Sequence, residues 1–85
     1  MNYLHIALLQ IAPEKRLEEN LEKGLAACRK AKAMGADIAL FPEMWSCGYQ
    51  IYDRPAQEWT AEAIPADGEF VEAFAVLARE LDMAI

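Results

Sequence analysis

The feature that most restricts this chain is a short apolar run, Ile38-Ala39-Leu40-Phe41, that stops at Pro42 and is followed at once by Glu43. A run of that length bounded by a breaker fits a strand buried on both faces and is too short for a helix. An earlier stretch, Leu4 to Ile11, carries Ile6, Leu8, Leu9 and Ile11 with little alternation and reads as a strand of the same kind. Between the two the period changes. Leu17, Leu21, Gly24, Leu25, Cys28 and Ala31 recur at spacings of three and four, while Glu18, Glu22, Lys23, Arg29, Lys30 and Lys32 fall largely off that face. A helix is therefore expected from about Pro13 to Met34. Pro13 is its start signal, because no Ser, Thr, Asp or Asn lies between Ala12 and Arg16 to cap it, and Gly35 is its left-handed end. Strand, helix and strand within this length imply a βαβ unit with parallel strands, so the fold class is α/β.

In an open α/β sheet, ligand sites lie outside the carboxyl ends of the strands, and Glu43 stands at such an end. Phe41, Met44 and Trp45 crowd it with apolar surface, the setting in which a carboxylate becomes a better proton acceptor and a candidate general base. The same residues satisfy a plainer rule. Pro at the first helical position and an acid against the positive helix end would make Pro42-Glu43 a helix start. On the residues alone both readings stand.

The rest of the chain reads more simply. Ser46 to Ala66 has no sustained period and holds Gly48, Pro55 and Pro65, which describes a long loop with a short helix around Ala56 to Ala63. Trp45, Tyr49, Tyr52 and Trp59 in this region would either line a pocket or pack in the core. Asp67 is placed to cap a last helix whose stripe is Phe70, Val71, Phe74, Leu77, Ala78 and Leu81. Leu81 to Ile85 closes in apolar residues and reads as the start of a third strand, so the 85 residues are expected to be the N-terminal piece of a longer protein. His5, at the far end of its strand from Glu43, reads as a hydrogen-bonded structural residue, Gln10 as a weak candidate for a supporting hydrogen bond near the site, and Cys28 as core packing.

A net charge of −6 and a pI near 4.6 argue against a nucleic-acid partner. No run approaches the roughly 20 apolar residues of a membrane span, and no basic segment precedes the first apolar stretch, so no membrane partner and a cytoplasmic location are the default expectations. Cys28 and Cys47 lack zinc-site spacing and are not expected to pair as a disulfide. The glycines are scattered, with no phosphate-binding pattern after the first strand.

Phe41-Pro42-Glu43 followed by Gly48-Tyr49 resembles the first signature of the carbon-nitrogen hydrolase family, the nitrilase superfamily. The opening strand with Pro13 after it, Asn20-Leu21 in the helix, and Gly35-Ala36-Asp37 ahead of the second strand extend the likeness over the whole chain. The resemblance implies a four-layer α-β-β-α sandwich, commonly dimeric, of which residues 1–85 would be the N-terminal part of a single domain. It implies hydrolysis of a non-peptide carbon-nitrogen bond, of amide or carbamoyl type, through a cysteine acyl-enzyme, with a small-molecule substrate and neither metal nor cofactor. Glu43 maps onto the general base, and Tyr49, inside the motif, is the best candidate for substrate binding. The family's lysine and nucleophilic cysteine belong to later signatures that do not occur before Ile85. Cys47 falls at a variable position of the glutamate motif and is not expected to be the nucleophile, so the 85 residues alone are expected to be inactive. The alternative is a non-catalytic α/β binding or interaction module.

Overall fold

A computed structural model of the chain describes residues 3–48, 55–61 and 63–85, with the Trp59 side chain outside that set. The elements run β1 (Ile6–Leu8), α1 (Leu17–Ala33), β2 (Ile38–Leu40), α2 (Ala56–Thr60) and α3 (Glu69–Leu81). β1 and β2 pair in parallel with Ile6 opposite Ile38, Ala7 opposite Ala39 and Leu8 opposite Leu40, and α1 makes the crossover. The expected start of a third strand is present as a parallel bridge between Ala84 and Ile38, in which Ala39 N–H donates to Ala84 O at 2.8 Å and Ala84 N–H to Asp37 O at 3.1 Å.

The helix ends follow local chemistry at one terminus and not at the other. Gly35, at φ 94°, ends α1 in the left-handed region, and the Gly35 and Ala36 N–H groups turn back to Lys32 O and Ala31 O. These are the paired bonds of a Schellman end. Glu18 and Glu19 in the first turn, with Lys30 and Lys32 in the last, match the helix dipole. The start is not at Pro13. α1 begins after Arg16, with no side-chain cap. Pro13 lies ahead of it against Gly48, where an added Cβ would come within 3.1 Å of the proline ring. Asp67 likewise does not cap α3, whose N-cap is Gly68. In neither case does a side chain cap the first turn of the helix.

Among the described residues, only one face of the sheet is covered. Ala7, Leu9, Ala39 and Phe41 point to the side where α1 and α3 pack, around a core of Cys28, Ala31, Ala36, Ala39, Leu77 and Met83. Leu4, Ile6, Leu8 and Leu40 alternate to the other side and are 52–64% exposed. The expectation of strands buried on both faces is thus corrected to one face within these residues. Continuous apolar strands require two covering layers, and α1 and α3 supply one. The buried stripe of α1 is Asn20, Gly24, Cys28 and Ala31. Burial pushes the Cys28 thiol up to about 11.

At the other end of β1, His5 is structural as expected. Its main-chain N–H donates to Asp37 Oδ2 at 2.9 Å, and its Nδ1 lies 3.5 Å from the same oxygen. Across the helix layer, Arg29 on α1 pairs with Glu80 on α3, and both side chains are exposed. No helix among the described residues is long and apolar enough to cross a membrane.

Candidate active site

β2 delivers the chain to Phe41 and Pro42, and residues 43–48 form a turn rather than a helix, so the helix-start reading of Pro42-Glu43 falls away. Glu43 therefore stands just past the carboxyl end of a parallel strand, where the sequence puts it. Its side chain is exposed, which corrects the expectation that its neighbours would partly desolvate it. Those neighbours point elsewhere. Trp45 is buried, and Phe41 stacks with it at 5.4 Å between ring centroids. Phe41 also meets Phe74 edge-on at 5.2 Å, and Phe74 meets Phe70 at 5.3 Å, so the rings run from the turn to α3.

Two positions on α1 make room for this arrangement. A Cβ added at Gly24 would come within 2.8 Å of Phe74 Cζ, 2.9 Å of Trp45 Nε1 and 3.1 Å of Phe41 Cε1. Gly24, on the packed face of α1, is thus the seat of the aromatic group. One helical turn earlier, Asn20 is fully buried. Its Oδ1 accepts from Glu14 N–H at 2.6 Å, and its Nδ2 donates to Ser46 O at 3.0 Å and to Glu14 O at 3.3 Å. Its main-chain oxygen accepts from the Trp45 indole N–H at 3.2 Å. The carboxamide was not singled out from the sequence for this role. The signal that locates it is its place four residues before Gly24 and eight before Cys28, on the buried stripe.

The turn itself has two left-handed residues, Met44 at φ 61° and Gly48 at φ 70°, and the Gly48 N–H closes on Met44 O at 2.6 Å. Methionine in this region costs about 1 kcal/mol or somewhat more. Cys47 is half-buried in the same turn as a free thiol. Tyr49 and Tyr52 lie outside the described residues, as does the Trp59 side chain, while Trp45 takes the core-packing alternative.

A shallow hollow of about 280 Å³ lies past the strand ends, lined by Leu8, Leu9, Gln10, Leu40, Phe41 and Pro42. Gln10 is its polar member, exposed, with its main-chain N–H donating to Leu8 O at 3.0 Å. A second hollow of about 340 Å³ separates the turn from α3 and is lined by the aromatic group with Ile64, Val71 and Ile85. Among the described residues no three His, Cys, Asp or Glu side chains come together to hold a metal ion.

An α/β unit with a carboxylate following a parallel strand and held on a turn is the class of site described so far. The sequence profile of the carbon-nitrogen hydrolase family matches residues 5–85, and the chain belongs to that family. It is 36% identical over 72 residues to a protein of Synechocystis sp. named as a glutamine-dependent NAD(+) synthetase. That match covers 71% of this chain and 13% of the relative, so the chain spans a small part of the relative's length. No solved structure matches the chain significantly.

Proposed function

We propose that the protein hydrolyses a non-peptide carbon-nitrogen bond of amide or carbamoyl type, with Glu43 as general base toward a cysteine outside residues 1–85. The observation that carries this reading is the position of Glu43 on a turn at the carboxyl end of β2, in a chain of this family. Glu43 takes the proton from the cysteine thiol, and the thiolate adds to the carbonyl carbon. The oxyanion that forms is steadied by a lysine that is also outside these residues. The carbon-nitrogen bond then breaks, and the amine leaves with the proton held by Glu43. Water, deprotonated in turn by Glu43, adds to the thioester, and release of the acid returns the proton to the thiol.

In this reading the 85 residues are the N-terminal part of one hydrolase domain, a four-layer α-β-β-α sandwich that forms a homodimer, and they are inactive alone. The exposed face of Leu4, Ile6, Leu8 and Leu40 supports a further layer against the sheet. Tyr49 would contribute to the substrate pocket. The likeness to a glutamine-dependent synthetase favours a narrower version, in which the bond cleaved is the side-chain carboxamide of glutamine and the product amine is ammonia.

The test is Glu43→Gln in the full-length protein, read by acyl-enzyme formation in a single turnover. Loss of the base should lower that rate by about a hundredfold to ten-thousandfold with the fold intact. Cys47→Ala serves as the control and should keep most of its turnover, with any change falling mainly on KM. Activity retained within a factor of two in Glu43→Gln, or an acyl group mapped to Cys47, would overturn the assignment.

A further inference from the structure

Glu43 is exposed on a turn, and the direction of its carboxylate depends on the path of that turn. Among the contacts on the turn, those to Trp45 and Ser46 come from one residue of α1. Asn20 is fully buried, and its carboxamide bonds two separate stretches of main chain, Glu14 ahead of α1 and Ser46 in the turn. The Trp45 indole closes a further bond to the Asn20 main-chain oxygen at 3.2 Å. A buried carboxamide left without partners costs about 1–3 kcal/mol, so a residue of this kind is retained only where its bonds are satisfied. Here every buried side-chain nitrogen and oxygen among the described residues has a partner.

We infer that Asn20 is the positioning residue for Glu43: by fixing Trp45 and Ser46 from below, it sets the path of the turn and with it the direction of the carboxylate. The inference rests on the reading of Glu43 as base. Glu43 and the left-handed Met44 lie between the end of β2, where the Leu9 N–H donates to Leu40 O at 2.9 Å, and Trp45 and Ser46, which are held on α1. A short stretch of backbone held on both sides in this way has little freedom to redirect the side chain of Glu43. Released from Ser46, the turn can relax by an ångström or so without unfolding, and misplacement of that size can cost a hundredfold in a reaction that depends on alignment.

The experiment uses the full-length enzyme. Asn20→Leu removes the carboxamide bonds at similar volume and should lower the single-turnover rate of acyl-enzyme formation by about tenfold to a hundredfold, with KM within about threefold. A residue acting only through Glu43 should have little left to affect once that group is already displaced. In a Glu43→Asp background, whose carboxylate is one methylene short, Asn20→Leu should therefore change the rate by less than about threefold. Trp45→Phe removes the indole donor and part of the buried ring while keeping an aromatic side chain on Phe41, should fold, and should lower the same rate several-fold with the same loss of additivity. If Asn20→Leu fails to fold, Trp45→Phe decides the question. Acylation retained within a factor of two in folded Asn20→Leu, or effects that multiply in the Glu43→Asp background, would overturn the inference. An inactive Glu43→Gln beside an unaffected Asn20→Leu overturns this inference alone, whereas an active Glu43→Gln overturns the base assignment and this inference together.

Discussion

The two faces of the β1–β2 sheet are built from different sizes of apolar residue. The covered face uses alanines at its centre, Ala7 and Ala39, with Leu9 and Phe41 beyond them, which lets α1 and α3 approach closely. The open face carries Leu4, Ile6, Leu8 and Leu40, none of which is buried. Burying such a side chain completely contributes about 1.5–3 kcal/mol, and these four are 52–64% exposed, so the open face leaves roughly 4–7 kcal/mol of stabilisation unrealised. That is comparable with the lower end of the whole stability of a small domain, about 5–15 kcal/mol. The contrast teaches that, among the described residues, the sheet has one face packed on helices and one apolar face left open.

The largest effect should appear in the 85 residues on their own. Without a second layer they should melt broadly or associate, as followed by circular dichroism and sedimentation at micromolar concentration. A sharp cooperative melt from a monomer would break the contrast between the faces. A smaller but more local effect is expected from Leu8→Ser on the open face. In the full-length protein it should cost about 2–5 kcal/mol by denaturant titration, the range for emptying a buried leucine site. A change under about 0.5 kcal/mol, as for an exposed position, would show that nothing covers this face.

On the covered face, Gly24→Val puts two opposing effects against each other. A helix gains some fraction of 1 kcal/mol when glycine is replaced, whereas a Cβ within 2.9 Å of Phe74 and Trp45 forces rings already packed on Phe41 to move. Overpacking costs about 1–3 kcal/mol and should win, lowering stability of the full-length protein by about 1–2 kcal/mol. A stabilised variant would mean that the aromatic group is loosely seated. The smallest effect is expected at the strand start. The His5 main-chain N–H holds the Asp37 carboxyl below its usual value, with the His5 ring and Lys32 adding to this. A lowered value means stability that is present above about pH 4 and lost as the pH falls through the lowered value. Asp37→Asn should therefore differ slightly from the parent at neutral pH, and the two should converge in acid. A difference that grows below pH 4 would contradict this assignment.

What the sequence made legible depended on how local each cause was. β2 and its end at Pro42, the Gly35 turn and α3 each follow from a few adjacent residues and are present in the structure, although Val71 of the expected α3 stripe is exposed. The place of Glu43 was legible for the same reason. Its exposure was not, because that depends on where Phe41 and Trp45 find partners, and those are on α1 and α3. Both long helices start later than Pro13 and Asp67 suggest, because those residues carry local start signals that no cap hydrogen bond in the structure uses. Asn20 was legible as part of a motif. Its spacing from Gly24 and Cys28 marks it as buried, but its partner Ser46 is 26 residues away, and no local pattern shows where such a bond is made.

The left-handed backbone at Met44 has a further consequence, for how the turn would respond to random mutation. Glycine adopts this conformation without the steric cost that methionine bears, so a search for stabilising replacements would be drawn to it. Glycine also widens the unfolded ensemble, by an amount worth about 0.4–1 kcal/mol. The two contributions are similar in size and opposite in sign. Replacement at Met44 is therefore close to neutral in free energy while making the backbone beside Glu43 much freer, and screening for thermal tolerance alone would pass over the loss.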